Sequence, residues 1–145
     1  MSAYIDTSVL GAYYCREALN AAVDAALGRV EGPVISALSE VEFCSLVKRK
    51  ERLRELNKIQ AREILDLFGT HIAEGFYRRL AVTHDHFSRA RQLITTGKVA
   101  LRTLDALHLA VALTEAVPLL TADRQLATAA KRHRCKVTLI QGVGG

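Results

Sequence analysis

The sequence predicts an α/β fold: a doubly wound, three-layer sandwich around a central, mainly parallel sheet of about five strands, with a helical hairpin inserted. Two patterns carry this reading. Short apolar runs recur between longer segments that repeat at helical spacing, and strands alternating with helices imply right-handed crossovers in a layered α/β fold. The runs are apolar nearly throughout rather than alternating, as strands covered on both faces are.

Ala3-Tyr4-Ile5 reads as the first strand. Leu19, Ala22, Val23, Ala26, Leu27 and Val30 then form one apolar stripe at helical spacing, which Gly32-Pro33 ends. Pro33-Val34-Ile35-Ser36 is the second strand. From Ser39 to about Phe68 the helical pattern is longer than one ordinary helix, with Leu53, Leu56, Ile64 and Leu67 assigned inward. A break between Arg52 and Asn57 makes it a hairpin of helices. Leu80-Ala81-Val82-Thr83 is the third strand, and His86 to Thr96 a helix that stops at Gly97. Asp105 to Ala116 is apolar almost all round, the mark of a buried helix. Pro118-Leu119-Leu120-Thr121, a helix from Arg124 to His133, and Val137-Thr138-Leu139-Ile140 complete the pattern, and Gly142 to Gly145 reads as a frayed tail. With no linker or repeat, residues 1–145 read as one domain, long enough to bury its own core.

Half of the residues are hydrophobic and 24% are charged, an ordinary balance for a soluble protein. No apolar run approaches the roughly 20 residues that span a bilayer, and Met1 to Gly11 lacks a basic leader region. A cytoplasmic, membrane-free location is expected. Cys15, Cys44 and Cys135 are odd in number and scattered, which argues against disulfides or a zinc site. A net charge of +5 and a pI near 9.4 suit a polyanionic partner.

Four acids fall at element boundaries. Asp6 follows the first strand and Asp123 the fourth; Glu42 lies in the first helical turn after the second strand, and Asp105 opens the buried helix. Open α/β sheets bind ligands beyond the carboxyl ends of their strands. Each acid also has a capping role open to it. Ser39 as N-cap with Glu42 fits a capping box, and Asp6, Asp105 and Asp123 can each complement a helix start, worth about 0.3–1 kcal/mol. Asp85 also follows a strand and is assigned no chemistry. Asp105 stands out because its neighbours are apolar, where a carboxylate is costly unless paired or bound to a cation.

Tyr4-Ile5-Asp6-Thr7-Ser8-Val9-Leu10, Ser36 to Phe43, Leu104-Asp105-Ala106-Leu107-His108-Leu109-Ala110 and Leu120 to Leu126 form an ordered set. The set resembles the four acidic motifs of PIN domains, across essentially the whole chain, and most nearly those of VapC-type toxins. The resemblance implies a PIN-like fold and a metal-dependent endoribonuclease, the toxin of a type II toxin–antitoxin pair. It makes Asp6, Glu42, Asp105 and Asp123 catalytic and metal-binding, with Ser8 and Thr121 in support. It further implies an RNA substrate, a cognate antitoxin whose tail occupies a groove near the acids, and a homodimer.

Converging carboxylates raise one another's pKa values, a conflict a divalent cation resolves. Hard oxygen ligands favour Mg²⁺ or Mn²⁺ over zinc. The expected chemistry is metal-assisted phosphodiester hydrolysis, with Asp6, Asp105 and Asp123 holding the metal directly or through water. Glu42 would bind a second metal or serve as general base. The alternative is a catalytically silent PIN-fold module that binds RNA or a protein. A phosphoacceptor receiver would need an acidic pair after the first strand, and a haloacid-dehalogenase phosphatase an Asp where Ser8 stands.

Other polar clusters carry less. His84-Asp85-His86 reads as a solvated turn, and His108 as a packing or hydrogen-bonding residue of the buried helix that can also face the acids. Lys48 to Arg52 with Arg54, and likewise Arg78-Arg79, Arg89 and Arg91, read either as solvated surface or as phosphate contacts. Tyr13 and Tyr14 read as core or interface residues. With no Trp, RNA choice would rest on shape and backbone rather than stacking.

Overall fold

Parallel neighbours cannot be joined by tight turns, so every strand here leads into helices before the next strand begins. The computed structural model of the protein describes residues 1–16 and 20–141. In chain order it contains β1 (Ser2–Ile5), α1 (Thr7–Tyr14), α2 (Asn20–Gly28), β2 (Gly32–Ser36), α3 (Ala37–Arg52) and α4 (Lys58–Ala73). There follow β3 (Arg78–Leu80), α5 (His84–Thr96), α6 (Thr103–Thr114), β4 (Leu119–Thr121), α7 (Arg124–Arg132) and β5 (Val137–Leu139).

The strands form one sheet in the order β3-β2-β1-β4-β5, with all four pairings parallel. Successive strand residues point to opposite faces, and here they feed two separate cores. Tyr4, Val34 and Leu119 pack with α5, α6 and α7, whereas Ile5, Ile35 and Leu120 pack with α1 to α4. The result is the expected three layers. From β1 the chain steps outward to β2 and β3, then returns across the sheet to β4 and β5. Right-handed crossovers require a reversal of direction to change the face that carries the helices. That reversal separates β1 from β4 and opens a crevice at their carboxyl ends.

The helical hairpin breaks where the sequence predicts. Asn57 caps α4 by accepting from the Gln60 backbone N–H at 2.8 Å, while the Gln60 side chain accepts from the Asn57 N–H at 2.9 Å. Arg54 takes a left-handed φ of 62° in the turn. Arg49, Lys50 and Arg52 close α3, where cations suit the negative end of its dipole.

Several expectations are corrected. Leu53 and Leu67 are 58% and 48% exposed, because Leu53 lies in the hairpin turn and Leu67 on the outer side of α4, while Leu56 and Ile64 are partly buried. The third strand lies earlier than Leu80 to Thr83: Arg78, Arg79 and Leu80 pair with Val34, Ile35 and Ser36. As an edge strand it needs backbone pairing more than apolar side chains. Helix α1 interrupts a stretch assigned no element. Leu19 of the expected stripe and the tail from Gly142 to Gly145 lie outside the described residues. Among the described residues no helix is long and apolar enough to cross a membrane.

The core between the sheet and α6 is closely filled, with Leu109 fully buried beneath Ala106, Ala110 and Leu119 in the same cluster. Leu109→Ala should therefore lower unfolding stability by about 2–5 kcal/mol, read from urea denaturation.

Candidate active site at the sheet crevice

Strand β1 delivers Asp6 to the crevice, and the Asp6 N–H donates to the Leu120 carbonyl at 3.0 Å, which fixes the residue against β4. Its side chain, only 5% exposed, stands at the N-cap position of α1 but makes no cap bond. Instead Oδ2 accepts from the hydroxyls of Ser8 at 2.7 Å and Thr121 at 2.9 Å. Those hydroxyls in turn accept from the next loop: Ser8 Oγ from the Ala122 N–H, and Thr121 Oγ1 from the Asp123 N–H. The two supporting residues thus knit the ends of β1 and β4 together around one carboxylate oxygen.

Asp123 does cap its helix. Its Oδ1 accepts from the Gln125 and Leu126 N–H groups at 2.8 and 3.2 Å. Glu42 does not. The N-cap of α3 is Ser36, with Ser39 as its reciprocal partner, so the capping box lies one turn earlier than the sequence suggested. Strand β2 runs directly into α3, leaving Ser36 to serve both, and Glu42 therefore stands in the second turn, freed from capping. Its Oε1 accepts from the Thr7 hydroxyl and from His108 Nε2, each at 2.5 Å.

Asp105 lies in the first turn of α6, whose N-cap position is held by Arg102. Alone of the four acids, it accepts no hydrogen bond among the described residues. His108 stands one turn further on the same face, fully buried, with Nδ1 at 2.6 Å from the Tyr4 hydroxyl. Tyr4 also contacts Ser36 Oγ at 2.7 Å and Ser39 Oγ at 3.3 Å. The sequence reading left Tyr4 out, since a tyrosine in an apolar strand looks like core. The one available signal was its hydroxyl, which needs a partner when buried.

The matching family agrees with this architecture: the sequence profile of the PIN domain fits residues 3–132. The chain belongs to the PIN domain family. Its fold is similar to a toxin–antitoxin complex from Klebsiella pneumoniae, with 19% identity, 97% of this chain and 99% of that chain covered, and a TM-score of 0.68. VapBC2 from Rickettsia felis, bound to a promoter DNA fragment, gives 14%, 97%, 100% and 0.70. Mycobacterium tuberculosis VapC20, described as a sarcin–ricin loop cleaving toxin, gives 17%, 89%, 95% and 0.68. At these identities the likeness is one of fold. No curated protein matches the chain.

In this PIN domain the acids act on one another. Burial, then the charges of Asp6 and Asp123, push the Asp105 carboxyl up from 3.8 to about 6, with Glu42 adding to the rise and His108 opposing it. Burial also works against charge on Glu42, but the bond and charge of His108 and the Thr7 hydroxyl prevail and hold Glu42 below the ordinary carboxylate value. Burial likewise disfavours charge on His108; the Glu42 bond and the nearby Asp6, Glu42 and Asp105 charges outweigh it and raise the imidazole. Burial lifts the Tyr4 phenol to about 12, so it stays protonated.

Among the described residues no group of three or more His, Cys, Asp and Glu is drawn close enough to hold a metal ion by side chains alone. The donor set nonetheless fits a hard cation. Among the described residues, each of Asp6, Glu42 and Asp123 has one oxygen that accepts two hydrogen bonds and another that accepts none, and Asp105 accepts none at either. Mg²⁺ retains several waters and takes only one or two carboxylates directly, so an open set suits it. The decoys separate cleanly. His86 is buried rather than solvated, because its Nδ1 accepts from the Thr83 N–H and its Nε2 meets Glu115 at 3.0 Å, while Asp85 is exposed. Arg79 is held by Glu40, Lys48 by Glu51 and Lys50 by Glu55. Tyr14 belongs to the core.

A raised acid makes folding weaken as pH climbs. Between 3.8 and about 6 the folded protein keeps a proton on Asp105 that the unfolded chain releases, so stability falls across that window. A shift of this size corresponds to about 3 kcal/mol at most, and to about 1 kcal/mol after allowing for solvent screening of a partly exposed group. Asp105→Asn should therefore be more stable than wild type by about 1 kcal/mol near neutral pH in EDTA. The gain should vanish below pH 3.8, as read by thermal melts across pH.

Proposed function

We propose that this PIN domain is a divalent-metal-dependent endoribonuclease, the toxin of a type II toxin–antitoxin pair. The observation that carries the proposal is the division of carboxylate oxygens: among the described residues, protein donors fill one oxygen each of Asp6, Glu42 and Asp123 and leave the other unclaimed, while the charges of all three bear on Asp105. Carboxylates serving only as caps or structural bonds would not need four elements to bring their charges onto Asp105.

Asp6, Asp105 and Asp123 would hold Mg²⁺ or Mn²⁺, directly or through water. When bound, the ion supplies a water of lowered pKa and offsets charge on the phosphodiester as it is cleaved. Ser8 and Thr121 keep Asp6 turned toward the crevice. Glu42, held ionised, offers its free oxygen as a proton acceptor or as a further ligand. The net charge of +5 supports a polyanionic substrate, and the description of VapC20 as cleaving the sarcin–ricin loop supports RNA. The toxin–antitoxin complexes from Klebsiella pneumoniae and Rickettsia felis support a cognate antitoxin as partner; self-association as a homodimer and a cytoplasmic site of action belong to the same proposal.

Purified protein incubated with total cellular RNA should cut it at discrete sites with Mg²⁺ or Mn²⁺ and not in EDTA. Asp6→Asn and Asp105→Asn should fold, by circular dichroism, and cut nothing detectable. A folded, antitoxin-free wild type that cuts under no metal would replace this proposal with a non-cutting module that binds RNA or a protein.

A further inference from the structure

We propose that His108 is a positioning residue for Glu42: clamped by Tyr4, its imidazole holds one carboxylate oxygen so that the other faces the acidic crevice. This rests on the ribonuclease reading and gives a role to a residue that the resemblance leaves without one.

The ring is held at both nitrogens. An ionised Glu42 only accepts, so Nε2 carries the proton in that 2.5 Å bond. At the other end, Nδ1 meets the Tyr4 hydroxyl at 2.6 Å, and that hydroxyl also meets Ser36 and Ser39, the N-cap and a first-turn residue of the helix that carries Glu42. The orientation of the imidazole is therefore referenced to α3 itself. Tyr4, Ser36, Ser39 and His108 are all fully buried, so water does not compete for these bonds.

Glu42 needs such a restraint. A glutamate on a helix has three flexible torsions, and a loosely held carboxylate loses the geometry that metal binding or proton acceptance demands. Thr7, one residue after Asp6, donates to the same Oε1. Two donors from α1 and α6 thus fix one oxygen and leave Oε2 unclaimed among the described residues. Stability alone is a poor account of the pair. A His–Glu pair with a fully buried imidazole and a half-buried carboxylate gains little over apolar side chains of similar shape, and the surrounding turn of α6 is already apolar, with Leu107, Leu109 and Val111 in the core. Partners that orient ligands through a hydrogen bond commonly matter about 10–100-fold when removed.

The test compares wild type with His108→Leu, His108→Gln, Glu42→Gln and the His108→Leu/Glu42→Gln double variant. His108→Leu should cut RNA about 10–100-fold more slowly in kcat with little change in KM. His108→Gln, whose amide N–H reaches the same oxygen, should recover most of the loss. In the Glu42→Gln background, His108→Leu should cost nothing further. Crystal structures of the metal-free variants supply a readout independent of cleavage: the Glu42 carboxylate should leave its place in His108→Leu and keep it in His108→Gln. Should the Leu variant not fold, His108→Met takes its place. Additive losses in the double variant, or an unmoved Glu42 in His108→Leu, would overturn the inference. If wild type itself cuts no RNA, the ribonuclease reading fails, and the position of Glu42 in the crystals alone decides the role of His108.

Discussion

Between β1 and β4 the chain reverses its direction of travel across the sheet, and the acidic crevice depends on that reversal. Helices cover opposite faces on either side of it, so none lies over the carboxyl ends of the two central strands. Asp6 leaves β1 there and Thr121 leaves β4 beside it, tied by backbone pairing of Tyr4 and Ile5 with Leu119 and Leu120. A parallel register shifted by one residue would turn Asp6 toward a core, because side chains alternate faces. The position of the first carboxylate is thus a consequence of sheet register, and register follows from the apolar residues on either side of it.

Around that point, hydroxyl groups do much of the arranging. Ser8, Thr121 and Thr7 each donate to a carboxylate while Ser8 and Thr121 also accept a backbone N–H. A hydroxyl can donate and accept at once, so it joins an acid to the loop that must hold it without adding charge. Lysine or arginine in these places would neutralise the acids and remove their pull on a cation. Every buried side-chain polar atom among the described residues finds a partner.

The second fixed point is the polar column through the core, from Ser36 and Ser39 through Tyr4 to His108 and Glu42. It ties β1 and α6 to the start of α3, where it both begins and ends. Apolar contacts tolerate sliding; directional bonds at both ends of an imidazole do not. The column therefore holds His108, one turn after Asp105 on α6, at both ring nitrogens.

The sequence by itself determined the layers, the parallel sheet and the hairpin of helices, and it singled out four acids as candidates through the ordered PIN-like motifs. The elements rest on local information, apolar period above all, and the acids on the order of the motifs that carry them. Weakly patterned pieces escaped it. The edge strand at Arg78 has exposed polar side chains, and α1 follows its strand without a loop to announce it. Only the tertiary structure decided which acids cap and which stay free. Asp123 caps α7 and Glu42 caps nothing, because the β2–α3 junction gives the cap to Ser36. Only the tertiary structure, too, brought in Tyr4 and tied His108 to Glu42. Bonds between residues 104 positions apart in the chain depend on how the layers stack, and no local pattern encodes that distance.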